Sequence, residues 1–187
     1  MPAKKQVTRE MILLAALRVL MEQGMEAVNV KTIASQLHCS TQPIYLSFEN
    51  MDALRKELVP AAVEKFSGLM QQECSTPQVH LYGREYLRVA KQQPRLFRFL
   101  FMRPQAFAEM KQVLLPLIDE AVQELMARYH LEQAQADELH DQLWMHAHGI
   151  ASMIATDYCD WDMEKAERML NRCQKALVKE YEAEYVF

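Results

Sequence analysis

The chain has 187 residues, half of them hydrophobic, and a formal net charge of −4. This length suits one domain or two small ones. The four cysteines lack the Cys-x-x-Cys spacing of zinc and redox sites, so we expect no metal and no other cofactor. Because MPAKKQVTREM lacks an apolar signal core and no apolar run reaches membrane-spanning length, we predict a cytoplasmic protein without a membrane partner.

Long stretches with a period of 3.6 residues, few glycines and the absence of Asn-Gly and Asp-Gly pairs predict an all-α protein. Thr8 can cap a first helix that stops at Gly24, and Asn29 can cap a short second helix. Ser40 is a candidate cap for a third helix. Pro43 then lies in its first turn, where its fixed φ is already helical.

The rest of the chain also reads as helices separated by short breaks. A connecting helix is predicted near 51–73, before a linker at 74–78. Further helices are predicted near 77–92, 94–102, 105–129, 132–158 and 162–184. Pro116 is expected to kink the third of these helices or to split it.

Two short helices joined by a tight turn, after a longer helix, form a helix-turn-helix unit whose second helix enters the DNA major groove. Residues 1–48 hold five basic and three acidic groups, which leaves −6 on the remainder and favours an anionic partner for this part. Hydroxyl and amide groups at the start of that helix suit base edges and phosphates. The predicted DNA-binding residues are Lys31, Thr32, Ser40, Thr41, Gln42, Pro43, Tyr45 and Ser47.

The stretch ILLAALRVLMEQGMEAVNVKTIASQLHCSTQPIYLSFENMDAL resembles the DNA-binding domain of TetR/AcrR-type regulators, over about residues 8–58. The matching positions are Ile12, Leu13, Ala15, Ala16, Gly24, Val30, Ile33, Ala34, Ser40, Tyr45, Phe48 and Leu54. Asn29 replaces the usual threonine cap, and Ser47 replaces a common histidine. His38 and Cys39 replace Gly-Val in the turn. Met51 stands where relatives often use a lysine on phosphate, so we expect modest phosphate affinity.

The resemblance implies a helix-turn-helix domain at 1–50 and a helical effector-binding and dimerisation domain at 51–187, with 51–73 connecting them. LWMHAHGIASM is similar to the W-x-x-x-H-G signature of one subgroup, and PRLFRFLFM resembles the segment before it. Effector sites of such regulators lie between the C-terminal helices. The predicted ligand-binding residues are Tyr86, Phe97, Phe101, Trp144, Met145, His148 and Tyr158; core packing is the alternative for these side chains.

The family also implies a homodimer that pairs its last two helices with those of a second subunit. A heptad-like series and a patch of small residues fit that surface, although packing within one chain is the alternative. The predicted interface residues are Ala151, Ala155, Ala166, Leu170, Cys173 and Leu177.

The sequence therefore predicts a homodimeric transcriptional regulator, most readily a repressor that a small-molecule effector releases from a pseudo-palindromic operator. A helical protein-interaction module with a degenerate DNA-binding domain is the alternative, favoured by Met51, by the acidic Glu49 and Asp52, and by the low positive charge. No enzymatic motif is present: we find no Gly-rich phosphate loop, no His-Glu-x-x-His and no nucleophile elbow.

Overall fold

The computed structural model describes residues 7–71, 79–104 and 106–183, which are helical with short connections and contain no strand. The all-α prediction is therefore confirmed. Within these ranges, no helix is both long and apolar enough to span a bilayer. The chain divides into two compact units, Met1–Phe66 and Ser67–Phe187. The predicted domain border, after residue 50, lies 16 residues before the border between these units, which follows Phe66. The predicted linker at 74–78 lies outside the described residues.

The first unit contains α1 (Arg9–Gln23), a 3-10 turn (Met25–Ala27), α2 (Val30–Gln36), α3 (Gln42–Ser47) and most of α4 (Met51–Gln71). The two predicted caps are present. The Thr8 side chain accepts a hydrogen bond from the Met11 N–H at 3.2 Å, and Asn29 Oδ1 accepts one from the Thr32 N–H at 3.1 Å. Both bonds satisfy donors that a helix start leaves free.

The turn between α2 and α3 contains a residue in the left-handed region. His38 has φ 51, and the neighbouring Cys39 N–H donates to the Ala34 carbonyl at 3.0 Å. Left-handed backbone is strained for a residue with a Cβ, so this is a position where glycine fits most easily. His38 therefore keeps this turn at some cost in backbone strain.

The start of α3 differs by one residue from the prediction. Thr41, and not Ser40, occupies the N-cap position, and its side chain makes no capping bond. Its carbonyl accepts from the Ile44 N–H at 3.1 Å, and Pro43 lies in the first turn. Thr41 nevertheless has an αR backbone (φ −73, ψ −16), as a residue inside a helix does, so the start of α3 agrees with the prediction to within one residue.

The second unit contains the end of α4 followed by α5 (Val79–Gln92), α6 (Pro94–Phe101), α7 (Ala106–Tyr129), α8 (Gln133–Ala155) and α9 (Met163–Ala183). Helix α7 continues as one helix through Pro116, so of the two predicted outcomes, a kink or a split, the split does not occur. Helix α5 packs on both α8 and α9. The Leu170 side chain of α9 packs against Gly83 of α5, and it would have to shift for a Cβ there, which would lie 2.9 Å from Leu170 Cδ2.

One buried cluster joins α7, α8 and α9 at one end of this unit. Its members are Val122, Leu125, Leu131, Ala136, Leu139, Val178 and Tyr181. Helix α8 is therefore the central element, since it also packs on α5 and α6. A second group of side chains, which is aromatic, lies where α5, α6 and α8 meet and is described below.

Candidate nucleic-acid interface and ligand site

The outer surface of α3 is open to solvent and mostly polar. Gln42 and Ser40 are exposed, Tyr45 is 64% exposed, and Thr41, Pro43 and Ser47 are half-buried. On α2, Lys31 is exposed and Thr32 is half-buried. All eight predicted DNA-binding residues therefore have side chains that are at least partly accessible to solvent.

The inner surface of α3 is apolar and closed. Ile44 is 2% exposed and Phe48 is 4% exposed. Ile44 lies within α3 and Phe48 directly follows its last residue, and both side chains are buried in the first unit. Burial of these two side chains sets the rotation of α3, and Tyr45 points outward as a result.

Arg9 makes a set of contacts at the end of α3 that the sequence did not predict, and we call this set the Arg9 bracket. The Arg9 guanidinium pairs with the Glu57 carboxylate of α4, with Nε to Oε2 at 3.1 Å, and donates to the Ser47 carbonyl. It also lies 4.1 Å from the centre of the Phe48 ring. One side chain thus connects α1, the last turn of α3, and α4 within the first unit.

The start of α4 carries little positive charge. Met51 is half-buried, Glu49 and Asp52 are exposed, and Arg55 pairs with Asp52 at 3.1 Å. Asn50 caps the helix by accepting from the Ala53 N–H at 2.8 Å. Met51 brings no positive charge to this position, as the sequence indicated.

The aromatic group of the second unit centres on a hydrogen bond between Tyr86 of α5 and His148 of α8. The Tyr86 hydroxyl lies 2.9 Å from His148 Nδ1. Trp144 stacks on the His148 ring at 5.2 Å between centroids, and Phe97 stacks at 5.9 Å. Phe101 contacts Phe97 at 4.8 Å and Tyr86 at 5.3 Å. We call these five residues the aromatic cluster.

Burial keeps both polar members of the aromatic cluster neutral. Desolvation raises the pKa of Tyr86 far above its usual range and lowers the pKa of His148 below its usual value. The phenol and the imidazole therefore meet as uncharged partners near neutral pH. In the described residues, no group of His, Cys, Asp and Glu side chains is arranged to hold a metal ion.

Two predicted ligand-binding residues do not join the aromatic cluster. Met145 is 57% exposed on the outer side of α8, and Tyr158 is 79% exposed in the turn after α8. Met145 follows Trp144 directly, so the helix turns its side chain about 100° away. Tyr158 lies beyond the end of α8, at Ala155, so this helix does not position its ring in the cluster.

Most of the predicted interface residues are buried by contacts within the chain itself. Ala151, Ala155 and Ala166 are at most 1% exposed, and Leu170 is 6% exposed and packs over Gly83. Cys173 and Leu177 are half-buried. The four buried side chains have no surface left for a second subunit, because the small residues already serve the contacts among α5, α8 and α9.

The outer side of α8 has other accessible positions. No charged residue occurs from Gln142 to Thr156, yet Met145 and Met153 are exposed. A Cβ added to Gly149 between them would meet nothing within 4 Å. Glycine in a helix interior costs about 1 kcal/mol relative to alanine, and no packing within the chain requires it here.

The first unit has a short helix whose outer side is exposed and whose inner side is apolar and buried. The second unit is helical and contains a neutral aromatic cluster. These two features are the architecture of a helix-turn-helix transcription regulator. A model of the bacterial regulatory proteins of the tetR family matches residues 12–58, and a model of the tetracyclin repressor-like C-terminal domain matches residues 79–177. The chain therefore belongs to the TetR family. Membership of the W-x-x-x-H-G subgroup stays a prediction.

Solved structures agree on the fold. A transcriptional regulator from Rhodococcus sp. Rha1 has a TM-score of 0.70 at 15% identity, over 92% of this chain and 97% of that chain. A TetR variant from Acinetobacter baumannii AYE in complex with minocycline has a TM-score of 0.58 at 17% identity, over 92% of this chain and 94% of that chain. The multidrug binding protein EbrR complexed with imidazole has a TM-score of 0.54 at 19% identity, over 88% of this chain and 93% of that chain. No curated protein matches the chain.

Proposed function

We propose that the protein is a ligand-responsive, DNA-binding transcriptional regulator that works in the cytoplasm as a homodimeric repressor. The observation that carries the proposal is the α3 surface. Its apolar side is fully used by Ile44 and Phe48, whereas its polar side has exposed groups that the first unit does not need for packing. Side chains of this kind on a helix-turn-helix unit are suited to base edges and phosphates.

Within the α3 surface, different residues have different roles. The exposed Gln42 would pair with an adenine edge, since its amide offers a donor and an acceptor together. Tyr45 and Ser47 donate to phosphate oxygens, and Lys31 adds a cation from α2. Few Lys or Arg residues lie nearby, so polar and apolar contacts contribute a larger share of affinity than in a strongly basic domain.

The homodimer is proposed to form through the outer side of α8. Met145, Gly149 and Met153 offer an uncharged surface, and the bare Gly149 backbone lets a partner helix approach closely. The exposed charges are complementary. The second and third turns of α8 carry acidic residues, whereas basic residues of α9 line an open groove of about 610 Å³. These charged residues are Asp137, Glu138, Asp141, Lys165, Arg168, Arg172 and Lys175.

A dimer would present two α3 helices to successive major grooves, roughly 34 Å apart. A ligand that binds better to a conformation with another spacing shifts the population away from the DNA-binding form. The aromatic cluster is the proposed ligand site, because bundle interiors with aromatic walls and few polar groups are common ligand sites. Two structural neighbours hold the small molecules minocycline and imidazole, which supports a small-molecule effector for this chain also.

A mobility-shift assay with DNA from upstream of the gene tests the function. We expect specific binding that weakens steeply with salt and that drops at least ten-fold in Tyr45→Ala. Tyr158→Ala is the matched control, because it removes another exposed tyrosine, which lies in the second unit, and should leave affinity unchanged. A duplex with one half-site should bind more weakly than the full palindrome if the protein acts as a dimer.

A protein-interaction module is the second candidate, favoured by the acidic start of α4 and by Met51. The same assay separates the two candidates. An interaction module would bind upstream DNA no better than unrelated DNA, and Tyr45→Ala would not change that result.

A further inference from the structure

Helix α3 exposes a large apolar side chain that the polar contacts of a DNA-binding helix leave unexplained. Leu46 is 80% exposed, although both of its neighbours at two-residue distance, Ile44 and Phe48, are almost fully buried. Two residues correspond to about 200° of rotation on a helix, so Leu46 points directly away from the side that holds α3 to its unit. Its position is a consequence of that anchoring.

Leu46 shares its side of α3 with a polar residue. Gln42 lies four residues earlier and is also exposed, so the two side chains are neighbours on the surface. Tyr45 lies beside them and is 64% exposed. An apolar group is therefore set among the polar groups that would meet the major groove. A leucine there cannot accept or donate hydrogen bonds with a phosphate or a base edge.

The major groove presents an apolar group on one base. Thymine carries a C5-methyl group there, whereas cytosine, adenine and guanine present only donors and acceptors. We propose that Leu46 contacts a thymine methyl group and sets a preference for thymine at one position of each half-site. This inference rests on the proposed DNA-binding function and adds a specificity-determining residue to it.

Deoxyuridine substitution provides a direct test, because it removes only the methyl group of thymine. A binding site is first selected from random DNA, and each thymine of both half-sites is then replaced by deoxyuridine. The wild-type protein should lose about four-fold in affinity per half-site at one symmetry-related position, which corresponds to one lost methyl contact. Leu46→Ala should bind the thymine and deoxyuridine duplexes equally.

Leu14→Ala is the control, since Leu14 is an exposed leucine of α1 in the same unit. This variant should keep the full preference for thymine. The proposal is overturned if Leu46→Ala discriminates thymine from deoxyuridine as the wild type does, or if no deoxyuridine substitution weakens the wild-type protein. A wild-type protein that selects no DNA sequence would overturn the proposed function itself, and this inference with it. Circular dichroism checks that both variants are folded.

Discussion

The α3 surface and the aromatic cluster both contain aromatic side chains, but these side chains differ in their exposure to solvent. Tyr45 on α3 is mostly exposed, whereas Tyr86 in the cluster is buried and hydrogen-bonded to His148. The α3 surface is ready for a partner because its anchoring residues are separate from its binding residues. In the aromatic cluster the same side chains both hold α5, α6 and α8 together and would contact a ligand. A ligand there must replace existing ring contacts.

Truncation of a ring in the cluster should therefore produce the largest change in stability. Phe97 is fully buried and contacts Tyr86, Phe101 and His148. Phe97→Ala is expected to lower the free energy of unfolding by about 3–5 kcal/mol. Urea unfolding followed by tryptophan fluorescence measures it, because both tryptophans lie in the second unit.

Tyr158→Ala is the matched control on the same unit, because it also truncates an aromatic side chain to alanine. Its side chain is 79% exposed, so the change should stay within about 0.5 kcal/mol. Equal losses in the two variants would contradict the division between cluster and surface.

The Arg9 bracket offers a test on the other side of the comparison. Glu57→Gln removes the carboxylate partner of Arg9 without touching α3. If the bracket positions the end of α3, DNA affinity should fall several-fold although one negative charge has been removed. The pair is partly exposed, so we expect only about 1 kcal/mol of lost stability or less. Titration of labelled DNA by fluorescence anisotropy measures the affinity.

Simple electrostatics predicts the opposite sign, namely tighter DNA binding, because loss of an acidic group reduces repulsion of phosphate. Glu64→Gln is the control, since Glu64 is an exposed glutamate of the same helix. An increase in affinity in both variants would contradict the positioning role of Arg9.

The smallest expected effect is a pH dependence of the second unit. Burial lowers the pKa of His148 below 6.5, so the unfolded chain takes up this proton at a higher pH than the folded one does. The stability that comes from the neutral imidazole is complete above about pH 6.5 and decreases as the pH falls below it. Thermal unfolding between pH 8 and pH 5 measures the decrease.

His148→Gln should remove this part of the pH dependence, whereas His130→Gln should keep it, because His130 is exposed after the end of α7. An unchanged slope in His148→Gln would show that other groups cause the effect.

The fold was accessible from the sequence because its signals are local. Thr8 and Asn29 cap helices through bonds to residues three positions away, and the spacing of Ile44 and Phe48 predicts the inner side of α3. The Arg9–Glu57 pair joins residues 48 positions apart, and no local pattern marks it. The exposure of Leu46 could have been derived from the same spacing that predicted Ile44 and Phe48.

The interface prediction shows a limit of a different kind. Small residues permit close approach of any helix, so Ala151, Ala155 and Ala166 fit a second subunit and the chain's own helices equally well in sequence. The structure uses them internally. Gly149, which was not among the predicted interface residues, differs because space remains around it, and this is a property that the sequence does not contain.

The Arg9 bracket also affects how a salt titration should be interpreted. The Arg9 and Glu57 side chains are 49% and 40% exposed, so dissolved ions screen their attraction. Added salt would then weaken DNA binding twice, once by competing at phosphates and once by loosening the end of α3. The slope of log affinity against log salt would overstate the number of phosphates that the protein touches. Repeating the titration with Glu57→Gln separates the two contributions.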